Sequence, residues 1–154
     1  MSERDSTAAI SGIIDALPDL INAAILLNGL IAERMQVTPS DFHCLHALHE
    51  APATAAALAE RVGLTPGSVS RMIDRLEAAG CVTRRPDPGD RRRTLIEPTG
   101  KGIERITEYY AGLTARTRED LASFDQHQLD ALLAFVRSSS KSTMAEVARL
   151  RGAP

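Results

Sequence analysis

The segment from residue 54 to 102, TAAALAERVGLTPGSVSRMIDRLEAAGCVTRRPDPGDRRRTLIEPTGKG, constrains this chain more than any other. Leu58, Ala59 and Val62 fall on one face at a period of 3.6 and predict a short helix over residues 55–62. Gly63 follows where a helix C-terminus favours a left-handed residue. Leu64 fills the turn. Thr65-Pro66 is a start signal, a hydroxyl N-cap followed by proline at the first helical position, where its missing N–H costs nothing. The second helix spans residues 66–79, with Val69, Ile73 and Leu76 as its buried stripe, Met72 beside it and Gly80 at its end. Two helices joined by a short glycine-containing turn match a helix-turn-helix. Residues 81–85 and 93–97 then read as strands around Pro86-Asp87-Pro88-Gly89-Asp90-Arg91, a run dense in turn formers. Arg91 and Arg92 sit at the hairpin tip, with Arg84, Arg85 and Arg93 along its sides.

Helix, turn, helix and basic hairpin in that order predict a winged helix-turn-helix, mainly α with a small β-wing. The outer face of the second helix carries Gly67, Ser68, Ser70, Arg71 and Arg75. A recognition helix enters the major groove with its N-terminal residues nearest the base edges. Serine can bond bases or phosphates, arginine can take guanine with two bonds, and a helix N-terminus favours a phosphate. Ser68, Ser70 and Arg71 are therefore the expected contacts at or near the bases, Arg75 is the expected contact to the DNA backbone, and Thr65 and Gly67 belong to the same expected DNA-binding surface. By itself this face would equally suit an ordinary amphipathic helix turned to solvent, and the hairpin an ordinary charged loop. A basic hairpin beside a recognition helix can reach the narrow, negative minor groove, which attracts arginine. That assigns Arg84, Asp90, Arg91 and Arg92 to the interface, with Asp90 expected to orient the Arg92 guanidinium.

These residues resemble the MarR family of bacterial transcriptional regulators. The resemblance is carried by Leu58-Ala59-Glu60, by Ser70-Arg71 with Asp74-Arg75-Leu76, by Glu77 through Gly80, by Asp87-Pro88 with Asp90-Arg91-Arg92, and by Thr99 with Gly102. In the family the last pattern is usually Leu-Thr-x-x-Gly, and here Pro98 stands in place of the leucine. The resemblance covers roughly residues 8–140. It implies a homodimer on double-stranded DNA, usually a repressor, often released by a small phenolic or other lipophilic ligand or by thiol oxidation. It also implies that the helix carrying His43 and His46 borders an effector cavity, for which Asn28 and Tyr110 are further candidates.

The chain has 154 residues, enough for one domain or one domain plus an oligomerisation element. Aromatics are few, tryptophan is absent, and Ala, Leu and Ile favour helices packed on helices. The formal net charge of −2 argues against a chain that is basic throughout, while residues 84–93 are locally basic. Glu3 and Asp5 sit where a secretory signal would be basic. The most apolar run, residues 20–32, is broken by Asn22 and Asn28 and falls short of the roughly 20 residues a bilayer span needs. Gly100-Lys101 lacks the upstream glycine of a phosphate loop. The expectation is a cytoplasmic chain with no membrane partner, no cofactor and no metal.

Around the central segment the pattern is helical. Ile10, Ile13, Leu17, Leu20, Ala24, Leu27 and Ile31 mark one stripe over residues 8–35 and Ile14, Ile21 and Met35 a second, so wide a face that it needs cover on more than one side. Pro18 either kinks this helix or marks its start. Asn28 interrupts the second row as a ligand-facing group, a register-fixing group or a residue at the stripe's edge. Thr38 or Ser40 caps a helix over residues 40–50 with Phe42, Leu45 and Leu48 inward. His43, His46 and His49 lie in one slanting strip but rise too steeply to converge on one ion. Cys44 reads as a small buried hydrophobe and Cys81 as a packed residue opening the wing; redox sensing would need a cation beside the thiol. Thr99 caps a helix over residues 100–123, where Tyr109 and Tyr110 either offer hydroxyls to a ligand or pack. Asp125 with Gln128 starts a last helix, interrupted at residues 138–142. The expected division is a dimerisation region from residues 8–36 and 101–150 around a DNA-binding domain at 37–100. Two other readings are a winged module that binds protein instead of DNA, opposed by its arginines, and a small enzyme, for which no nucleophile-base-acid set or metal shell is visible.

Overall fold

The computed structural model describes residues 3–49 and 51–152. Its elements run α1 (Glu3–Arg34), α2 (Pro39–Leu48), α3 (Ala55–Val62), α4 (Pro66–Ala78), β1 (Val82–Pro86), β2 (Thr94–Pro98), α5 (Gly100–Leu121) and α6 (Gln126–Gly152). The chain divides into two compact units, Met1–Tyr109 and Tyr110–Pro154.

In the first unit, the local start and stop signals act as their chemistry requires. Thr38 caps α2 in a full capping box: its Oγ1 accepts from the Asp41 N–H, and the Asp41 carboxylate accepts from the Thr38 N–H. Thr54 caps α3 and Thr65 caps α4, each by accepting a main-chain N–H three residues on. Gly63 closes α3 at φ 67°, the left-handed conformation that glycine adopts without a Cβ penalty. The core joins Ile31, Ala32 and Met35 of α1 to Phe42, Leu45 and Leu48 of α2, Leu58 of α3, and Val69, Met72, Ile73 and Leu76 of α4. Cys44, Cys81, Val82 and Ile96 complete it.

β1 and β2 pair antiparallel, from Val82 opposite Pro98 to Pro86 opposite Thr94. Ala53 adds one rung on the far side of β2, exchanging two main-chain bonds with Ile96 at 3.0 and 2.8 Å. This third segment seats the hairpin on the helices. Pro98, with no N–H to give, ends β2, and the chain passes directly into α5: the Thr99 N–H donates to the Cys81 carbonyl at 2.9 Å and its hydroxyl to the Gly80 carbonyl at 2.6 Å.

Several boundaries differ from the sequence expectation. α1 begins at Glu3, ahead of the stripe expected from residue 8. Pro18 lies inside α1, neither starting nor ending it. Leu48 ends α2, and Glu50 lies outside the described residues. The polar residues 138–142 do not interrupt α6, because serine tolerates a helix whose neighbours are good formers.

α1 carries Ile10, Ile14, Leu20, Ile21, Ile25 and Leu26 each more than half exposed. Over Asp5–Arg34 it is long and apolar enough, by length and composition, to cross a membrane, which the shorter run at 20–32 did not indicate. In the second unit, Asp125 and Gln128 make the reciprocal cap of α6, both bonds at 2.9 Å. α6 has no buried residue and leaves Leu132, Leu133, Phe135, Val136, Met144 and Leu150 exposed.

Candidate nucleic-acid interface

α4 buries Val69, Met72, Ile73 and Leu76 and turns the opposite face outward. At its N-terminus the Thr65 hydroxyl donates to Ser68 Oγ at 2.9 Å, which fixes two of the expected contact residues against each other. Gly67, Ser70 and Arg71 are exposed, Ser68 is half-buried, and a Cβ on Gly67 would meet no atom within 4 Å. The first turn and a half of α4 thus presents small groups, hydroxyls and one arginine.

Arg75, one turn further on, is held from behind. Its Nε donates to Asp41 Oδ2 at 2.9 Å and its Nη2 to Asp41 Oδ1 at 2.6 Å. The Asp41 side chain is wholly buried while that of Arg75 is 51% exposed. Burial alone would push the Asp41 carboxyl up; the bonds from Arg75 and Thr38 outweigh it and hold the group below its usual range.

The wing base is tied to the same helix. Arg84 bridges Asp74, at 2.6 Å, and Glu77, and Arg85 pairs across the hairpin with Glu97 at 2.6 Å. The tip is closed by turns. Asp87 accepts from the Gly89 N–H at 2.8 Å, and the Asp87 N–H donates to the Arg93 carbonyl at 2.9 Å. Asp90 does not hold the Arg92 guanidinium as expected; its Oδ1 accepts the Arg92 main-chain N–H at 3.0 Å. An aspartate two residues ahead is placed for that local turn bond. Among the described residues Arg71, Arg91, Arg92 and Arg93 take part in no ion pair.

Three of the effector candidates, Asn28, His43 and His46, lie in the first unit, and Tyr110 lies in the second. His43 is exposed and lines a cleft of about 290 Å³ with Pro39, Ser40, Val62 and Leu64. His46 is outside that lining and stands edge-on to Phe42, ring centroids 5.9 Å apart. Burial, with His49 and His43 nearby, holds it below the usual imidazole range. Asn28 is half-buried on α1, also outside the cleft lining. Tyr110 belongs to the second unit, and burial raises its phenol. Both thiols are free and buried: burial and the Asp41 charge push Cys44 up to about 12, and burial raises Cys81 against a smaller opposing effect of Arg105.

Sequence reasoning missed Asp41, Asp74 and Glu77 as partners of the interface arginines. Asp41 was visible only as the acidic third residue after Thr38, a capping-box spacing that says nothing of Arg75.

A helix-turn-helix with an outward second helix and a basic hairpin seated beside it defines a winged helix-turn-helix protein. The chain belongs to the MarR family, whose sequence profile matches residues 35–93. It is a transcriptional regulator and not an enzyme. The chain is 30% identical over 153 residues to the uncharacterized HTH-type transcriptional regulator YcgE of Bacillus subtilis (strain 168), covering 98% of this chain and 99% of that one. Among solved structures it resembles RV1404 from Mycobacterium tuberculosis, with 30% identity, a TM-score of 0.62 and 85% and 94% of the two chains covered. It also shares its fold with a mutant of MepR from S. aureus bound to an oligodeoxyribonucleotide, at 19% identity and a TM-score of 0.56, over 84% of this chain and 97% of that one.

Proposed function

We propose that this regulator is a cytoplasmic homodimeric repressor that binds a pseudo-palindromic site on double-stranded DNA. The observation that carries the reading is the placement of charge: the arginines at the wing base are matched by carboxylates, Arg75 is held by Asp41 with its side chain 51% exposed, and Arg71, Arg91 and Arg92 are left for an outside anion. Thr65, Gly67, Ser68, Ser70 and Arg71 would meet the major groove, Arg91 and Arg92 the flanking minor groove, and Arg75 a phosphate. Arg84 acts as a strut between wing and helix, and Asp90 shapes the tip. The DNA-bound MepR relative supports this use of the fold.

A partner copy accounts for the exposed apolar residues of α1 and of α6, which water would otherwise cover at a cost of about 25 cal/mol per Å². Two-fold symmetry then sets half-site centres about one helical turn apart, roughly 34 Å. The cleft beside His43 is a candidate place for a small lipophilic or phenolic effector, which would act by favouring one spacing of the two recognition helices.

The test is fluorescence anisotropy of the protein on the DNA upstream of its own coding region, over a salt series. Tight binding that discriminates against scrambled DNA, with log affinity falling by about 0.9 per decade of salt for each phosphate neutralised, supports the reading. Equal affinity for operator and scrambled DNA, here and after selection from random sequence, overturns it.

A further inference from the structure

We infer that Asp41 is a positioning residue for DNA binding, holding Arg75 by one edge of its guanidinium so that the other edge is presented to a backbone phosphate. The inference rests on the DNA-binding reading above and adds a residue from outside the helix-turn-helix.

The geometry is specific. A guanidinium offers five N–H donors in a rigid plane. Asp41 takes the Nε–H and one Nη2–H, with bonds of 2.9 and 2.6 Å. Three donors remain, both on Nη1 and one on Nη2, and the side chain that carries them is 51% exposed. Arg75 follows Ser68 by seven residues and Arg71 by four, so it continues the row that faces outward from α4. Asp41 itself cannot move to meet DNA. It has no exposed surface, and it is fixed by the Thr38 N–H within the α2 capping box. An exposed arginine normally loses side-chain freedom when it grips an anion. Here the buried carboxylate has removed that freedom before DNA arrives, and it ties the orientation of the grip to α2.

A carboxylate behind a DNA-binding arginine has two opposite effects on affinity. Its charge repels phosphate, while its bonds orient the donor. Asp41→Asn removes the charge and one arm of the fork, so a merely electrostatic role predicts tighter binding and a positioning role predicts weaker binding. The sign decides between them.

The experiment measures operator and scrambled-DNA affinity, over a salt series, for the full-length wild type and for Asp41→Asn, Arg75→Lys, Arg75→Gln and the Asp41→Asn/Arg75→Gln double variant. Circular dichroism and light scattering confirm that each keeps its helices and the wild-type mass. Asp41→Asn and Arg75→Lys should each weaken binding about tenfold, the scale of one charge-assisted hydrogen bond. The loss should be equal on operator and scrambled DNA, because a backbone contact carries no sequence information. A general loosening of α4 would instead erode discrimination. In the Arg75→Gln background Asp41→Asn should add nothing. Should Asp41→Asn fail to fold, Arg75→Lys, which keeps the charge and loses the fork, carries the test. Wild-type affinity in that variant, tighter binding by Asp41→Asn, or additive losses in the double variant overturn the inference while leaving the DNA-binding reading in place. A wild type that binds neither DNA overturns both.

Discussion

Replacing Gly102 with alanine should destabilise the fold through one contact. Gly102 is the third residue of α5 and is buried. A Cβ built on it would stand 2.5 Å from the Cys81 carbonyl oxygen and 3.0 Å from the Cys81 Cα. Ordinary C–H···O contacts lie at about 3.3–3.6 Å, so the overlap is roughly 0.8 Å against main chain, which has no rotamer to retreat into. The two strands of chain cannot separate cheaply. The same Cys81 carbonyl accepts the Thr99 N–H at 2.9 Å, and the Thr99 hydroxyl links the Gly80 carbonyl to the Gly102 N–H, at 2.6 and 2.9 Å. Overpacking of this kind costs about 1–3 kcal/mol, opposed by up to about 1 kcal/mol of helix propensity gained from alanine.

Gly100, two residues earlier in the same helix, isolates the propensity effect. A Cβ there meets nothing within 4 Å, so Gly100→Ala should be neutral or stabilising by a few tenths of a kcal/mol. Urea unfolding of both variants at one protein concentration, followed by circular dichroism, gives the comparison. Gly102→Ala should unfold at a clearly lower midpoint than Gly100→Ala with an unchanged m-value. Midpoints that agree within error would refute the claim that close approach of α5 to the start of the wing demands glycine there.

Four further outcomes are expected. Arg91→Ala/Arg92→Ala should keep the wild-type melting temperature and lose about 10–100-fold in DNA affinity with a shallower salt slope, since the tip makes no ion pair among the described residues; an unchanged slope would show that the wing stays off the DNA. Asp41 titrates below its ordinary 3.8 in the folded chain, so its stabilisation is complete above about pH 4 and is lost as pH falls through the lower folded value; acid unfolding of Asp41→Asn should be flatter in that range than wild type, and parallel curves would contradict it. Cys44, pushed up to about 12, should resist iodoacetamide at pH 8 until the chain is unfolded, as mass spectrometry would show; rapid native labelling would restore a redox role. Ile25→Glu/Leu26→Glu should shift the mass in light scattering from dimer to monomer, because both side chains are about two-thirds exposed in the single chain; a retained dimer would place the interface elsewhere.

What was legible in the sequence was local. Thr65-Pro66 and the spacing of Val69, Ile73 and Leu76 defined α4, and Pro86 through Arg91 defined the wing, because caps, turns and periodicity are written within a few residues. The pairing that organises the interface was not legible. Asp41 and Arg75 are 34 residues apart, Arg84 is 10 from Asp74, and such meetings depend on how helices pack. The Ala53 rung was hidden for the same reason: one residue beside a proline carries no strand pattern. Asp90 shows the opposite error, a local main-chain bond overlooked in favour of a side-chain partner.

These pairings also resolve the chain's net charge of −2 with a nucleic-acid partner. Asp41, Asp74, Glu77 and Glu97 each spend their charge on an arginine of the same unit. Arg75 with Asp41 and Arg85 with Glu97 are each locally near neutral, Arg84 between Asp74 and Glu77 leaves one negative charge, and such exposed groups contribute little beyond a Debye length of about 8–10 Å. In the DNA-binding reading, what DNA would meet is therefore the outward edge of Arg75 with the unpaired cations at the start of α4 and at the wing tip, whatever the sum over the chain. The two kinds of arginine should separate by experiment. Loss of Arg84 should register mainly in how firmly the wing is held against α4, and loss of Arg92 mainly in affinity for DNA. Net charge predicts that both substitutions weaken DNA binding alike, and the structure predicts that they do not.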